Sequence, residues 1–260
     1  HIIYRLNDLL ISIDLPETVK TNFLSTKPRP AMIKTMVFVK RKPDISFKVF
    51  CDYWVNSHGP LTAKLPGLSR LQFNLVRPEF HWSPPEWDGV SCAWFKDEAS
   101  LRAVTNSSAF QAMLTDEENF VDTQKRSPMI VAPMAKMIDP SARWTTDSQK
   151  TIFGFRRQSG VTRASFNTYW GRYHAKRINN LPHLMAYVQN TIQSGLSAVA
   201  PLYDAIAECY WDSWDGAMNA VRSEAYKDVE ADEICFADLT GCAPLVVREV
   251  EIVSNGKLIV

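Results

Sequence analysis

Apolar residues along this chain switch repeatedly between a spacing of two and a spacing of three to four. Lys34–Lys40 is β-branched and apolar, as a buried strand should be. Pro43-Asp44 breaks that run. Phe47, Phe50, Trp54 and His58 then fall three or four apart, on one helical stripe. Ser46 is the expected N-cap, the helix is expected to reach about Ser57, and Pro60 to stop it. Strands follow at Leu71–Val76 and Gly89–Phe95, separated by a turn-rich aromatic loop from His81 to Trp87. Asp97 caps a second predicted helix through about Met113, and Met129–Ile138 closes the unit as a last strand.

The same order returns 116 positions later. Phe50, Tyr53, Trp54, His58, Leu65, Pro66, Leu68 and Asn74 reappear as Phe166, Tyr169, Trp170, His174, Leu181, Pro182, Leu184 and Asn190. Phe120, Asp122 and Pro128 recur as Phe236, Asp238 and Pro244. One register held over so long a span means two copies of one domain. Copy two reads strand Lys150–Phe155, helix Thr162–Tyr173, strands Met185–Thr191 and Ala205–Trp211, helix near Asp215–Tyr226, and strand Leu245–Val253. The loop Ile192–Tyr203 shares no residues with its counterpart, so the copies are expected to have diverged in specificity.

This gives an N-terminal arm 1–33, repeat one 34–138, a linker 139–149, repeat two 150–254 and a tail 255–260. Alternation in Ile2–Ile13 allows an added strand in the arm. A βαββαβ unit makes one antiparallel sheet with both helices on one face. The strands are nearly all apolar, so the bare faces must be covered too. Two copies can cover each other, sheet against sheet, as a pseudo-symmetric α+β barrel; pairing between two chains, and a homodimer, stay open.

Charge narrows the classes. With 29 basic and 28 acidic residues interspersed in 260, no concentrated basic face is expected for nucleic acid or a membrane surface. No apolar run approaches the roughly 20 residues of a spanning helix. Five sparse cysteines and no evident secretory signal predict free thiols and a cytoplasmic setting.

The pattern FxxYWxxxHGPLxxxLPxL from Phe50 to Leu68 resembles the EthD domain, as does the lead-in Lys40-Arg41-Lys42-Pro43 with Ser46–Phe50. Copy two keeps FxxYWxxxH (Phe166 to His174) and LPxLxxY (Leu181 to Tyr187) but has Ala175-Lys176 for Gly59-Pro60. The resemblance implies the ferredoxin-like, dimeric α+β barrel superfamily, with a cleft between helices and sheet into which the histidine points. Similar domains in fungal aromatic polyketide pathways are associated with decarboxylation or dehydration. Superfamily relatives include isomerases, cyclases, cofactor-free oxygenases and haem proteins, so the fold does not choose the reaction.

His58 and His174 are the candidate acid/base groups, since imidazole titrates near neutrality. Each can equally serve a helix C-terminus. Tyr53 and Tyr169, also candidates, lie five residues earlier, about 140° around an α-helix, and are not expected on the histidine's face. Trp54 and Trp170 are expected to wall the cavity or fill the core, and can stack on a planar ligand. Arg41 and Arg157 close the first strands in register, where each can hold a substrate oxyanion or pair with a nearby carboxylate. His183 and His81 stand at a possible cleft mouth or on exposed loops, and turn formation accounts for Asp122 and Asp238.

No glycine-rich nucleotide loop, no zinc-ligand spacing and no Gly-x-Ser-x-Gly elbow occurs. Together with these absences, the resemblance implies a cofactor-independent lyase-type enzyme, with isomerisation or cyclisation also open, acting on an aromatic or polyketide-like molecule. The alternatives are a non-catalytic small-molecule binder and an oxygenase, either cofactor-free or with haem iron on His58 or His174.

Overall fold

The computed structural model describes residues 3–6, 9–12, 32–81, 83–138, 144–192, 200–240, 242 and 244–260. In the arm, β1 (Ile3–Leu6) and β2 (Leu9–Ser12) pair antiparallel with each other, two short strands where the alternation suggested one.

The remainder holds the two repeats. Repeat one runs β3 (Ile33–Val39), α1 (Phe47–Tyr53), α2 (Gly59–Thr62), β4 (Leu68–Val76), β5 (Gly89–Phe95), α3 (Glu98–Thr105), α4 (Ser108–Glu117) and β6 (Ser127–Ile138). Repeat two runs β7 (Gln149–Arg157), α5 (Arg163–Tyr169), α6 (Ala175–Ile178), β8 (Leu184–Ile192), β9 (Ala205–Trp211), α7 (Trp214–Val221), α8 (Glu224–Glu233), β10 (Ala237–Asp238) and β11 (Leu245–Ser254), followed by β12 (Lys257–Leu258). The second helix of each repeat is two helices, not one. Ser107 and Ser223 restart the chain as N-caps, accepting from the Phe110 and Tyr226 amides.

Within each repeat the fourth strand lies beside the first, giving β6-β3-β5-β4 and β11-β7-β9-β8. The repeats then join at both edges: β11 pairs with β4, and β6 with β8. Eight antiparallel strands thus close on themselves, with β10 and β12 appended, and closure leaves neither edge of a repeat's sheet unpaired. The α+β barrel is intramolecular.

Alternation along the strands divides the protein into an inside and two outsides. Met36, Phe38, Val90, Cys92, Val131, Ile152, Ile206 and Val247 pack inside the barrel. The opposite faces carry the helices, around Phe50, Trp54 and Phe73 in repeat one and Phe166, Trp170 and Phe155 in repeat two. Each such aromatic is worth roughly 1.5–3 kcal/mol of burial.

The barrel is not purely apolar. Lys34 and Lys150, register mates on β3 and β7, are fully buried and both ion-pair with Glu208 on β9. Lys150 also reaches Glu249 Oε2 at 2.6 Å, and Asn190 Nδ2 donates to Glu208 at 2.9 Å. Burial works to raise the Glu208 carboxyl, but Lys150 and Lys34 outweigh it and hold it well below the carboxylate range. Glu208 occupies the register position of Cys92, so the lysine of repeat one finds its carboxylate only in repeat two.

Candidate active sites

Both candidate histidines lie where an α-helix widens. Ser46 caps α1 by accepting from the Val49 amide, and Thr162 caps α5 in the same way from Ser165. From Trp54 to His58, and again from Trp170 to His174, the backbone turns as a π-helix, with Gly59 N–H donating to Trp54 O and Ala175 N–H to Trp170 O. Such i→i+5 turns are rare and concentrate at functional sites. Pro60 does not stop the helix. It enters the first turn of α2, where a proline gives up an N–H that has no helical partner.

The wide turn brings residues five apart onto nearly one face. Tyr53 and His58, separated by an α-helical reckoning, meet at a single carboxylate on α4. Tyr53 Oη donates to Asp116 Oδ1 at 2.7 Å, and His58 Nδ1 lies 2.8 Å from Asp116 Oδ2. Repeat two reproduces the arrangement, with Tyr169 Oη to Asp232 Oδ1 at 2.6 Å and His174 Nδ1 to Asp232 Oδ2 at 2.8 Å. An ionised carboxylate only accepts, which puts the ring proton on Nδ1 and leaves Nε2 with its lone pair. Phe120 and Phe236 pack on the rings at 4.9 Å between centroids.

Burial lowers the pKa of both imidazoles, against the opposing pull of Asp116 or Asp232. Each is thus neutral and basic at physiological pH. Burial also works to raise the Asp116 carboxyl, but the hydrogen bonds from Tyr53 and His58 hold it below its usual range. Both tyrosine pKa values are raised, chiefly by donation to the aspartate, so the phenols keep their protons.

Each histidine lines a cavity between helices and sheet, of about 490 Å³ in repeat one and about 420 Å³ in repeat two. Trp54 walls the first, stacked on Phe73 at 4.4 Å. It lies so close to the β5 backbone that a Cβ on Gly89 would come within 2.2 Å of its ring. Trp170 walls the second, edge-on to Phe155, and donates from Nε1 to Tyr187 Oη at 3.0 Å. Polar groups converge beside the histidines. Glu117 and Arg126 line the first cavity. Glu233 lines the second, with Oε1 3.9 Å from His174 Nε2.

The model of the family described as EthD domain matches this chain twice, over residues 42–124 and 158–240. The chain belongs to the EthD family. Among solved structures, an anthrone oxidase-like protein resembles this EthD protein at 10% identity and a TM-score of 0.62, over 86% of this chain and 94% of its own. Proposed monooxygenases of Fusobacterium nucleatum (subsp. nucleatum ATCC 25586) and Lactobacillus acidophilus NCFM match at 10% and 7% identity, with TM-scores of 0.56 and 0.54. Each covers 88% of this chain, and 97% and 98% of its own. Identities this low speak for the fold alone. A search of curated proteins finds no match. No helix among the described residues is long and apolar enough to cross a membrane.

Of the remaining residues expected at the site, all but His81 lie elsewhere. Arg41 is held by Asp88 at 2.9 Å and by the Ile45 carbonyl at 3.0 Å. Arg157 donates to the Val161 carbonyl at 2.5 Å, with Asp204 at 3.4 Å. Neither lines a histidine cavity; both are strand-end cations paired with a neighbouring aspartate. His183 stands in the left-handed region at φ 64°, the register position of Gly67, with Nδ1 2.8 Å from Asp212, and is outside the cavity wall. His81 does line the second cavity of the EthD protein, with Phe80 and Ser83, so a loop of repeat one closes over repeat two. Most of the loop Ile192–Tyr203, residues 193–199, lies outside the described residues.

Asp116, Asp232, Glu117 and Glu233 are absent from the sequence-based expectation. The signal for them was present, since Asp-Glu recurs at the same offset of 116.

Proposed function

We propose that this EthD protein is a cofactor-independent acid/base enzyme of lyase type, decarboxylating or dehydrating an aromatic or polyketide-like small molecule. One observation carries the reading: each repeat closes a largely apolar cavity onto a buried, neutral imidazole whose Nδ1–H is fixed by an aspartate. Both cavity volumes fall in the roughly 300–1,000 Å³ range of small-molecule sites.

The chemistry follows from the fixed tautomer. Nε2 removes a proton α to a carbonyl, leaving an enolate, while the aspartate stabilises the imidazolium that forms. In a dehydration, the imidazolium returns that proton to the departing β-hydroxyl, which leaves as water. In a decarboxylation, Nε2 first takes the proton of the substrate's carboxylic acid, loss of CO2 from the carboxylate leaves a carbanion, and the imidazolium so formed returns the proton to it. Tyr53 and Tyr169 touch the aspartate and not the cavity wall, so they act as positioning residues. Proton transfer of this kind is worth roughly 10²–10⁴ in rate.

A panel of hydroxylated aromatic acids and β-hydroxy ketones, incubated with the protein and followed by mass spectrometry, tests the reading. Loss of CO2 or water that disappears in the His58→Gln/His174→Gln double variant supports it, and loss that persists there sinks it.

The names of the structural neighbours favour one second reading, a cofactor-free oxygenase in which the same base ionises an aromatic enol that then reacts with O2. Oxygen uptake with the same panel separates the two. A Soret band in protein from its native host would bring haem into the account.

A further inference from the structure

The two cavities share a frame and differ in charge. In the first, Glu117 is ion-paired with Arg126, and both line the wall. The other charged groups there, Glu98 and Arg102, pair with each other. In the second, the register puts Cys242 in place of Arg126, and no lysine or arginine reaches Glu233 within ion-pair distance among the described residues. The titratable groups around it are His174, His81, Cys209, Tyr187 and Tyr226 on the wall, with Glu230 and Asp232 adding repulsion behind. Among the described residues, the first cavity therefore holds an arginine that the second lacks.

We propose that the cavities sort ligands by charge. The first takes a planar aromatic bearing a carboxylate or phenolate, bound by Arg126. The second takes a neutral aromatic whose hydroxyl donates to Glu233 beside His174 Nε2. This rests on the reading above that both cavities receive small aromatic molecules.

Donor geometry supports the first half. A guanidinium presents five N–H groups in a fork, and Glu117 engages the NH1 arm, so other arms remain to grip an incoming anion. Desolvation supports the second. An anion entering beside Glu233 loses its water and meets like charge, and among the described residues no lysine or arginine lines that wall, Arg177 being paired with Asp232 behind it. A neutral hydroxyl meets instead a carboxylate able to accept, with the imidazole lone pair 3.9 Å away. Burial first, then Glu230 and Asp232, push the Glu233 carboxyl up to about 7, consistent with a site that resists negative charge.

Naphthoate and naphthol, one charged and one neutral at pH 8, serve as probes on the full chain. Binding is followed by NMR of the imidazole rings, with signals assigned by their loss in His58→Gln and His174→Gln. Naphthoate is expected to shift the His58 ring and naphthol the His174 ring. Arg126→Gln is expected to weaken naphthoate by about tenfold or more, while Arg126→Lys, which keeps the charge, retains most of the affinity. Glu233→Gln is expected to admit naphthoate beside His174. Charge sorting is overturned if both probes bind both cavities alike, or if Arg126→Gln leaves naphthoate binding unchanged in a protein of native circular dichroism. Binding of neither probe in either cavity overturns the underlying small-molecule reading as well.

Discussion

Nδ1 of His58 lies 2.8 Å from Oδ2 of Asp116, although the two residues stand on different helices and 58 positions apart. The same separation joins His174 to Asp232. Fixing one ring nitrogen determines what the other can do, and that makes the pair testable.

Asp116→Asn with Asp232→Asn frees both rings to adopt either tautomer. Nitrogen NMR is expected to find a single Nδ1–H form in the natural protein and a mixture in the double variant. Turnover should fall by about 10²–10³, within the range that acid/base catalysis supplies. Tyr53→Phe with Tyr169→Phe leaves the aspartates in contact with the rings, so a milder loss is expected and the tautomer is retained.

Glu208→Gln removes the carboxylate between two buried lysines. Breaking a buried charge pair typically costs about 3–5 kcal/mol. Urea unfolding at pH 7 should register that loss. Replacement of Cys92, which occupies the same register position, by Ser should cost far less. The Glu208 carboxyl is depressed, so its contribution is present above its ordinary value of 4.5 and is lost as pH falls.

Glu233 carries the opposite sign. Its folded pKa is raised from 4.5 to about 7, so the folded state binds the extra proton. Its contribution is present below pH 4.5 and disappears as pH rises through about 7. Glu233→Gln should therefore gain on the order of 1–3 kcal/mol on the natural protein at pH 8, and little at pH 4.5. Paired melts at the two pH values check this.

Both histidine pKa values are lowered from 6.5, so the unfolded chain binds protons that the folded one refuses. Stability from these groups is present above about 6.5 and falls with pH below it. In His58→Gln/His174→Gln the slope of unfolding free energy between pH 6.5 and 5 should flatten, whatever the offset from the substitutions.

Periodicity and the 116-residue register made the barrel legible, because strand faces and repeat order are local properties copied twice. The sites were only half legible. Tyr53, though a candidate, was not expected on the face of His58 because α-helical geometry turns it away, and nothing in Trp-Val-Asn-Ser-His announces a wider turn. Asp116 fell beyond a helix read as ending near Met113, since Ser107 restarts that helix and carries it to Glu117. Lys34 and Lys150 look like ordinary strand-end cations until β9 brings Glu208 between them from the other repeat. For Arg41 and Arg157 the sequence left open a substrate anion or a paired carboxylate, because their partners, Asp88 and Asp204, lie 47 positions away.

The central claim is that the two buried imidazoles move a substrate proton. Deuterium exchange into β-tetralone, an enolisable aromatic ketone sized for these cavities, measures that step without knowledge of the natural substrate. The natural protein in D2O should accelerate exchange at the carbon between ring and carbonyl, and His58→Gln/His174→Gln should lose about 10² or more of that acceleration while keeping its fold. Exchange that proceeds as fast in the double variant as in the natural protein would contradict the account.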